Sequence, residues 1–352
     1  MSAPCEFLSG VIEGFYGRAW SFELRAAYAG FLAESRLNTY LYAPKDDPFL
    51  RKRWREDWPA AQLQCLQALA SEYHRQGINW GVGLSPFELY RDYGAPERRQ
   101  LRGRLEGMEV FQAPLLAVLF DDMPGNLDDL AARQAEIVAD VCAWCPDTRI
   151  LVCPTYYSFD PVLEQYFGPM PDNYWEQLGS QLPAAVDVFW TGNQVCSASV
   201  LSADIAAINT RIGRKVLLWD NYPVNDGAKR SNSLYLDKLA NRDTDLARCL
   251  TGHLCNPMNQ GLLSIPALLG LAELYGNAEG AQAWLLTNLG ADTWRSLQRD
   301  SEEFLHRGIA GMGAARCSEL ATQYEQLPGA AAAEVTAWLR GEYTFDPACL
   351  TD

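Results

Sequence analysis

The sequence predicts an α/β fold: a (β/α)8 TIM barrel followed by a C-terminal helical appendage. Two observations lead there. From residue 8 to about 275, short β-rich apolar runs alternate with longer helical patterns, and the alternation counts eight strand–helix units. Beyond residue 276 the pattern becomes wholly helical, with Ala-rich and Trp-spaced segments. The competing doubly wound open sheet lacks its glycine-rich first turn, since no GxGxxG follows a strand. The expected division is therefore a catalytic barrel over 1–275 and a helical region over 276–352.

Each element has a local reason. Residues 8–15 form the first apolar run, and Ser21 caps the amphipathic stretch over 22–34. A strand over 39–42 precedes a helix over 60–75, which ends at Gly77. A strand over 78–84 leads to a helix opening near Pro96, proline being favoured in a first turn. Residues 115–120 are a continuous apolar run of the fully buried kind, followed by a helix over 127–144. Strands over 149–153, 186–190, 215–219 and 250–255 follow, with helices over 174–182, 203–212 and about 265–275. The seventh helix, about 233–242, is weakly marked. Four more helices are expected over 281–289, 293–306, 314–326 and 331–340.

Composition narrows the function. The chain holds 44 Asp plus Glu against 29 Lys plus Arg, a net charge of −15 without a basic run, which argues against nucleic acid as a partner. No window offers the roughly 18 consecutive apolar residues of a membrane span, and the first residues lack the basic and apolar regions of a signal peptide. Ten Cys are too sparse for a disulfide scaffold, and the Cys142–Cys145 pair stands without a second pair, so it reads as structural. A cytoplasmic location follows as an expectation. Three His leave little material for a metal centre or a Ser-His-Asp triad, so no metal or cofactor is expected.

In such a barrel, chemistry sits at the C-terminal ends of the strands. The residues there are Glu13 and Gly14, Lys45, Ser85, Asp121 and Asp122, Tyr156 and Tyr157, Trp190, then Trp219 to Asn221 with Asp226, and Asn256. Carboxylates and amides hydrogen-bond sugar hydroxyls, and indole faces stack on a pyranose, so the ring suggests carbohydrate. Its sharpest part is the strand ending Leu119-Phe-Asp-Asp122, which sets like charges side by side and would leave one carboxyl protonated as a donor. Conventional glycosidases separate their two carboxylates by about 5 Å or more. Adjacent aspartates instead suit attack by the substrate's own 2-acetamido oxygen, one carboxylate orienting the acetamide N–H and its neighbour protonating the leaving oxygen. A nearby tyrosine hydroxyl would hold the acetamide oxygen in line.

Six ordered motifs then carry a resemblance: Gly10-Val-Ile-Glu-Gly-Phe-Tyr-Gly17, Tyr42-Ala-Pro-Lys-Asp-Asp47, Leu119-Phe-Asp-Asp122, Cys153-Pro-Thr-Tyr-Tyr157, Trp219-Asp-Asn221 with Asn225-Asp226, and Asn256-Pro257. Across roughly residues 8–275 the chain resembles glycoside hydrolase family 84, the O-GlcNAcase and β-N-acetylglucosaminidase family. The resemblance implies substrate-assisted, retaining hydrolysis through an oxazoline. It assigns Asp121 to the acetamide and Asp122 to acid and then base. Tyr157 would bind the acetamide carbonyl, with Tyr156 standing where the family usually has an acidic residue. Gly14 and Lys45 would meet sugar hydroxyls, and Trp219 would wall the acetamide pocket beside Asn221. Asp226 would hold the 4- and 6-hydroxyls and Asn256 the 3- and 4-hydroxyls. Glu13 and His253 read as structural, Trp190 as wall or packing, and Tyr16 as packing for the first loop.

The leading expectation is thus an exo-acting β-N-acetylglucosaminidase, O-GlcNAcase-like, whose partner is a GlcNAc glycoside, a glycoprotein among the options. A hexosaminidase acting on glycan fragments or modified sugars, a non-hydrolytic sugar-binding barrel and a metal-dependent hydrolase are the alternatives. A monomer and a homodimer are both open.

Overall fold

The computed structural model describes residues 6–351. Eight parallel strands close into a barrel in sequential order, β1 (Leu8–Glu13), β2 (Thr39–Tyr42), β3 (Asn79–Leu84), β4 (Leu115–Leu119), β5 (Arg149–Cys153), β6 (Asp187–Trp190), β7 (Val216–Asp220) and β8 (Leu250–Cys255). β8 returns to β1 with Val11 opposite Cys255, which removes both sheet edges. Every residue of β1, β2, β4, β6 and β7 is buried, as expected of strands covered by side-chain layers inside and helices outside.

The outer layer comprises α1 (Phe22–Glu34), α2 (Ala60–Arg75), α3 (Ala95–Met108), α4 (Leu130–Trp144), α5 (Val162–Phe167), α6 (Tyr174–Gln181), α7 (Ser202–Ile212) and α8 (Gly261–Tyr275). Ser21 accepts the Leu24 N–H at 3.2 Å and so caps α1. Gly77 and Gly213, both with φ of 73°, follow α2 and α7 in the left-handed conformation that a side chain would disfavour.

One expected element does not form. Residues 233–242 are irregular, and the connection from β7 to β8 contains only short 3-10 turns, Arg230–Asn232 and Leu246–Arg248. The reason is competition for the backbone. The Leu234 N–H donates to the Phe304 carbonyl at 3.3 Å and the Leu239 N–H to that of Ala267 at 2.9 Å, while Arg242 bridges to Val200. These donors are spent on distant segments and are not available for i→i−4 bonds.

After α8 come α9 (Ala278–Leu289), α10 (Ala291–His306), α11 (Gly308–Glu325) and α12 (Ala330–Leu339). They pack on the barrel. Trp284 of α9 meets Phe31 of α1 edge-on at 5.4 Å. Glu334 of α12 accepts the Leu262 and Leu263 N–H groups at 3.2 and 3.1 Å, which satisfies orphan donors at the start of α8.

Beneath the barrel mouth, Glu13 is fully buried and held by Arg25 of α1 (2.6 and 2.9 Å) and by the Tyr40 hydroxyl of β2. This ties the first strand to its helix and makes Glu13 a structural ion. Replacing Arg25 by Met leaves that carboxylate buried without its cation. Urea unfolding is expected to show a loss of about 3–5 kcal/mol.

Candidate active site

Loops after β1, β2, β4, β5, β6, β7 and β8 converge on one pocket of about 510 Å³, measured out to its mouth. Gly14, Lys45, Asp121, Asp122, Tyr157, Trp219, Asn221, Asp226 and Asn256 all line it. Chemistry-bearing side chains far apart in sequence thus meet because each follows a strand of one closed barrel.

The floor is acidic and paired. Lys45 makes an ion pair with Oδ2 of Asp121, both side chains buried, and its ammonium lies 5.6 Å from the Trp219 ring centroid. Lys45 therefore faces a carboxylate as well as the pocket space. Oδ1 of Asp121 is buried and has no hydrogen-bond partner among the described residues. A buried carboxylate oxygen without a donor is unfavourable, so a ligand N–H or O–H at that point would be strongly welcomed. Asp122 accepts the Tyr157 hydroxyl on Oδ1 at 3.0 Å and the Tyr16 hydroxyl on Oδ2 at 2.7 Å. Burial and then the charge of Asp122 push both phenols well above their usual range, so they stay protonated donors.

Tyr157 and Tyr156, neighbours in sequence, diverge. The Tyr156 hydroxyl donates to the carbonyls of Gly168 (2.7 Å) and Pro169 (3.1 Å), and it fills the space beside Gly125, where a Cβ would come within 2.3 Å of it. Trp190 packs edge-on against Phe159 and Trp175 at 4.8 and 5.5 Å and belongs to the core.

The opposite wall is a chain of amides. The Trp219 indole N–H and the Asn256 amide both donate to Oδ1 of Asn221, at 3.0 and 2.9 Å, and the Gly14 N–H donates to Oδ1 of Asn256 at 3.1 Å. Asn221 in turn donates to the Val195 carbonyl at 2.8 Å. Gly14 has to lack a side chain, because a Cβ there would lie 2.3 Å from the Trp219 ring. Below this wall Asp220 is bound by Arg242 (2.6 and 2.8 Å) and His253 (2.9 Å). Burial would raise the Asp220 carboxyl, but these partners outweigh it and hold it at about 2. Asp220, His253 and Cys255 are the one group of such side chains within ligating distance among the described residues, and Arg242 already neutralises it.

Two contributors escaped the sequence reading. Tyr16, expected to pack the first loop, instead reaches Asp122 with its hydroxyl and Oδ2 of Asp226 with its N–H (2.7 Å). Arg51 donates to the carbonyls of Asp121 and Asp122 at 3.4 and 2.8 Å. Tyr16 lay within a quoted motif and could have been found there, whereas no pattern marked Arg51.

A (β/α)8 barrel whose fourth strand is followed by two adjacent carboxylates, walled by indole and amides, has the architecture of a glycoside hydrolase. Comparison with known proteins agrees. Residues 9–304 match the NAGidase family, described as beta-N-acetylglucosaminidase. The chain is similar to the protein O-GlcNAcase of Rattus norvegicus, 30% identical over 306 residues, which span 83% of this chain and 32% of that protein. It is equally similar to that of Mus musculus, 30% identical over 303 residues with the same coverage. Among solved structures, a mutant of the Thermobaculum terrenum O-GlcNAc hydrolase superposes with a TM-score of 0.76 at 26% identity, covering 96% of this chain and 81% of that one. The chain spans about a third of the length of the mammalian relatives. It belongs to the β-N-acetylglucosaminidase family, glycoside hydrolase family 84.

Asp226 gives the site a pH signature. Burial lifts its carboxyl from 3.8 to about 6, against the Tyr16 N–H that lowers it. Below about pH 6 the carboxyl is protonated and would accept a hydroxyl less well. Calorimetric binding of N-acetylglucosamine is expected to weaken there, and Asp226→Asn to flatten that dependence. The same residue keeps its proton in the native state between 3.8 and about 6, while the unfolded chain has released it. Stability therefore falls as pH rises through that window, and Asp226→Asn removes this slope in urea titrations.

Proposed function

We propose that the protein is a retaining exo-β-N-acetylglucosaminidase that removes terminal β-linked GlcNAc, including O-GlcNAc on the Ser or Thr of a polypeptide, through an oxazoline intermediate. The observation that carries this reading is the buried Oδ1 of Asp121, without a partner among the described residues, beside an Asp122 held by two tyrosine hydroxyls.

The acetamide N–H satisfies Asp121 Oδ1, while Lys45 pairs with the other oxygen. The Tyr157 hydroxyl, which rests on Asp122 without substrate, turns to the acetamide oxygen and aims it at the anomeric carbon. Asp122 keeps Tyr16 and delivers a proton to the leaving oxygen, then takes one from water as the oxazoline opens. Retention follows from the two inversions, attack by the acetamide and attack by water. Trp219 walls the acetamide pocket, Asn221 holds the neighbouring Trp219 and Asn256, and Gly14, Lys45, Asp226 and Asn256 receive the sugar hydroxyls, in the pocket that they line together. A reducing, cytoplasmic setting belongs to the same proposal, on the sparse cysteines of the chain.

Asp122→Asn is expected to slow an aryl GlcNAc glycoside with a poor leaving group by about 100- to 10,000-fold and an activated one much less. Asp121→Asn slows both, because acetamide attack is impaired whatever leaves. Successive fluorination of the N-acetyl group slows the wild type, and a flat response would point to a carboxylate nucleophile. A GlcNAc-bearing peptide and a GlcNAc-terminated oligosaccharide, assayed together, separate the protein substrate from the glycan fragment.

A further inference from the structure

In an extended strand, consecutive side chains point to opposite faces. Asp121 and Asp122 nevertheless both line the same pocket. The break lies at Asp122, whose φ of 55° places a non-glycine residue in the left-handed region. Such a backbone is unfavourable for an L residue and persists only where its surroundings enforce it. Arg51, 7% exposed, follows the 3-10 turn Pro48–Leu50 and donates to the Asp122 carbonyl at 2.8 Å, with the Asp121 carbonyl at 3.4 Å. Its guanidinium lies 5.3 Å from the Phe87 ring centroid. The neighbouring loop is itself anchored, the Ser85 N–H donating to the Leu50 carbonyl at 2.7 Å.

We propose that Arg51 is a positioning residue that holds the left-handed turn at Asp122 and so keeps that carboxylate facing the pocket beside Asp121. It acts on the peptide carbonyls and leaves the carboxylate oxygens to other partners. The proposal rests on the reading of Asp122 as the acid. Replacing Arg51 by Met is expected to lower kcat for an aryl GlcNAc glycoside with a poor leaving group by about 100-fold, since a displacement on the order of 1 Å has that effect. KM stays within a factor of about two, because the sugar-binding wall is untouched. Activated leaving groups lose much less, so the dependence of rate on leaving-group pKa steepens. Arg51→Lys, which keeps the charge and can reach one carbonyl, recovers part of the loss and carries the test if the Met variant fails to fold. A purely structural role would lower the melting temperature without steepening that dependence, and this result would overturn the proposal. If Asp122→Asn is inactive while the Arg51 variants keep the wild-type dependence, the positioning role fails and the acid assignment stands. If Asp122→Asn is fully active, the acid assignment fails first.

The segment after α12 reaches the same pocket. It is anchored beside the first loop, where Arg18 lies 3.8 Å from Glu342 and 5.0 Å from the Tyr343 ring centroid. It then turns at Asp346, whose carbonyl accepts the Cys349 N–H at 2.9 Å, and brings Cys349 and Thr351 into the pocket lining. The Cys349 thiol faces Oδ1 of Asp226 at 3.7 Å, and the Thr351 side chain approaches the Tyr157 hydroxyl in the same pocket. Those two groups are the ones assigned above to a sugar hydroxyl and to the acetamide oxygen. Sugar and segment cannot both hold them.

We infer that residues 345–351 form an intrasteric plug that competes with the sugar, again on the proposed substrate reading. Exchanging residues 345–351 for a Gly-Ser stretch of equal length is expected to lower KM for an aryl GlcNAc glycoside and leave kcat unchanged. The fall is about tenfold if about a tenth of the molecules are open. Millimolar N-acetylglucosamine should also speed amide exchange over 345–351 in the unaltered protein. An unchanged or raised KM, or exchange insensitive to the sugar, would overturn the inference. Activity of the unaltered protein on the same glycoside, measured alongside, tests the substrate reading by itself.

Discussion

Two carboxylates that adjoin in the chain share one pocket only where the backbone turns between them. The rest of the site is arranged around that constraint. The left-handed turn at Asp122 lets the side chain turn back toward the pocket beside its neighbour. Like charges so placed repel, and the surrounding groups answer each separately: Lys45 for Asp121, and the Tyr16 and Tyr157 hydroxyls for Asp122. The asymmetry matters chemically. One carboxylate is paired with a cation, and the other is held by neutral donors.

The barrel supplies the rigidity that this arrangement needs. A closed sheet has no free edge, and its register places the ends of β1, β4, β5, β7 and β8 around a common mouth. The buried ions beneath the mouth are then scaffolding. Glu13 with Arg25 secures the first strand, and Asp220 with Arg242 and His253 secures the seventh and eighth. Each is buried together with its counter-charge, the condition under which a buried ion is tolerated. Arg242 further donates to the Ser197 and Ala198 carbonyls, tying the loop that carries Val195, and hence Asn221, to the wall.

Much of this was legible in the residues alone. Strands betray themselves through continuous apolar runs, and the eight units follow from their number, so the fold class and the strand ends were readable. The failures share a cause. Residues 233–242 have enough local signal for a weak helix, but their N–H groups are taken by α8 and α10, which no local pattern records. Tyr156 and Tyr157 are identical in type and adjacent, so only the loop around Gly125 and Gly168 decides which hydroxyl is spent on carbonyls. Tyr16 looked like packing because its partners lie 106 and 210 residues away.

By itself the sequence determined the alternation of strands and helices, the acidic pair at the end of the fourth strand, and the aromatic and amide groups that ring it. Periodicity and residue chemistry are local properties and survive in one dimension. Tertiary structure decided which tyrosine faces the pocket, that Lys45 sits against Asp121, that Arg51 grips the turn between the two aspartates, and that the segment ending at Thr351 lies in the pocket mouth. Those are pairings between residues remote in the chain. Their energies depend on distance and burial, and neither exists until the barrel has closed.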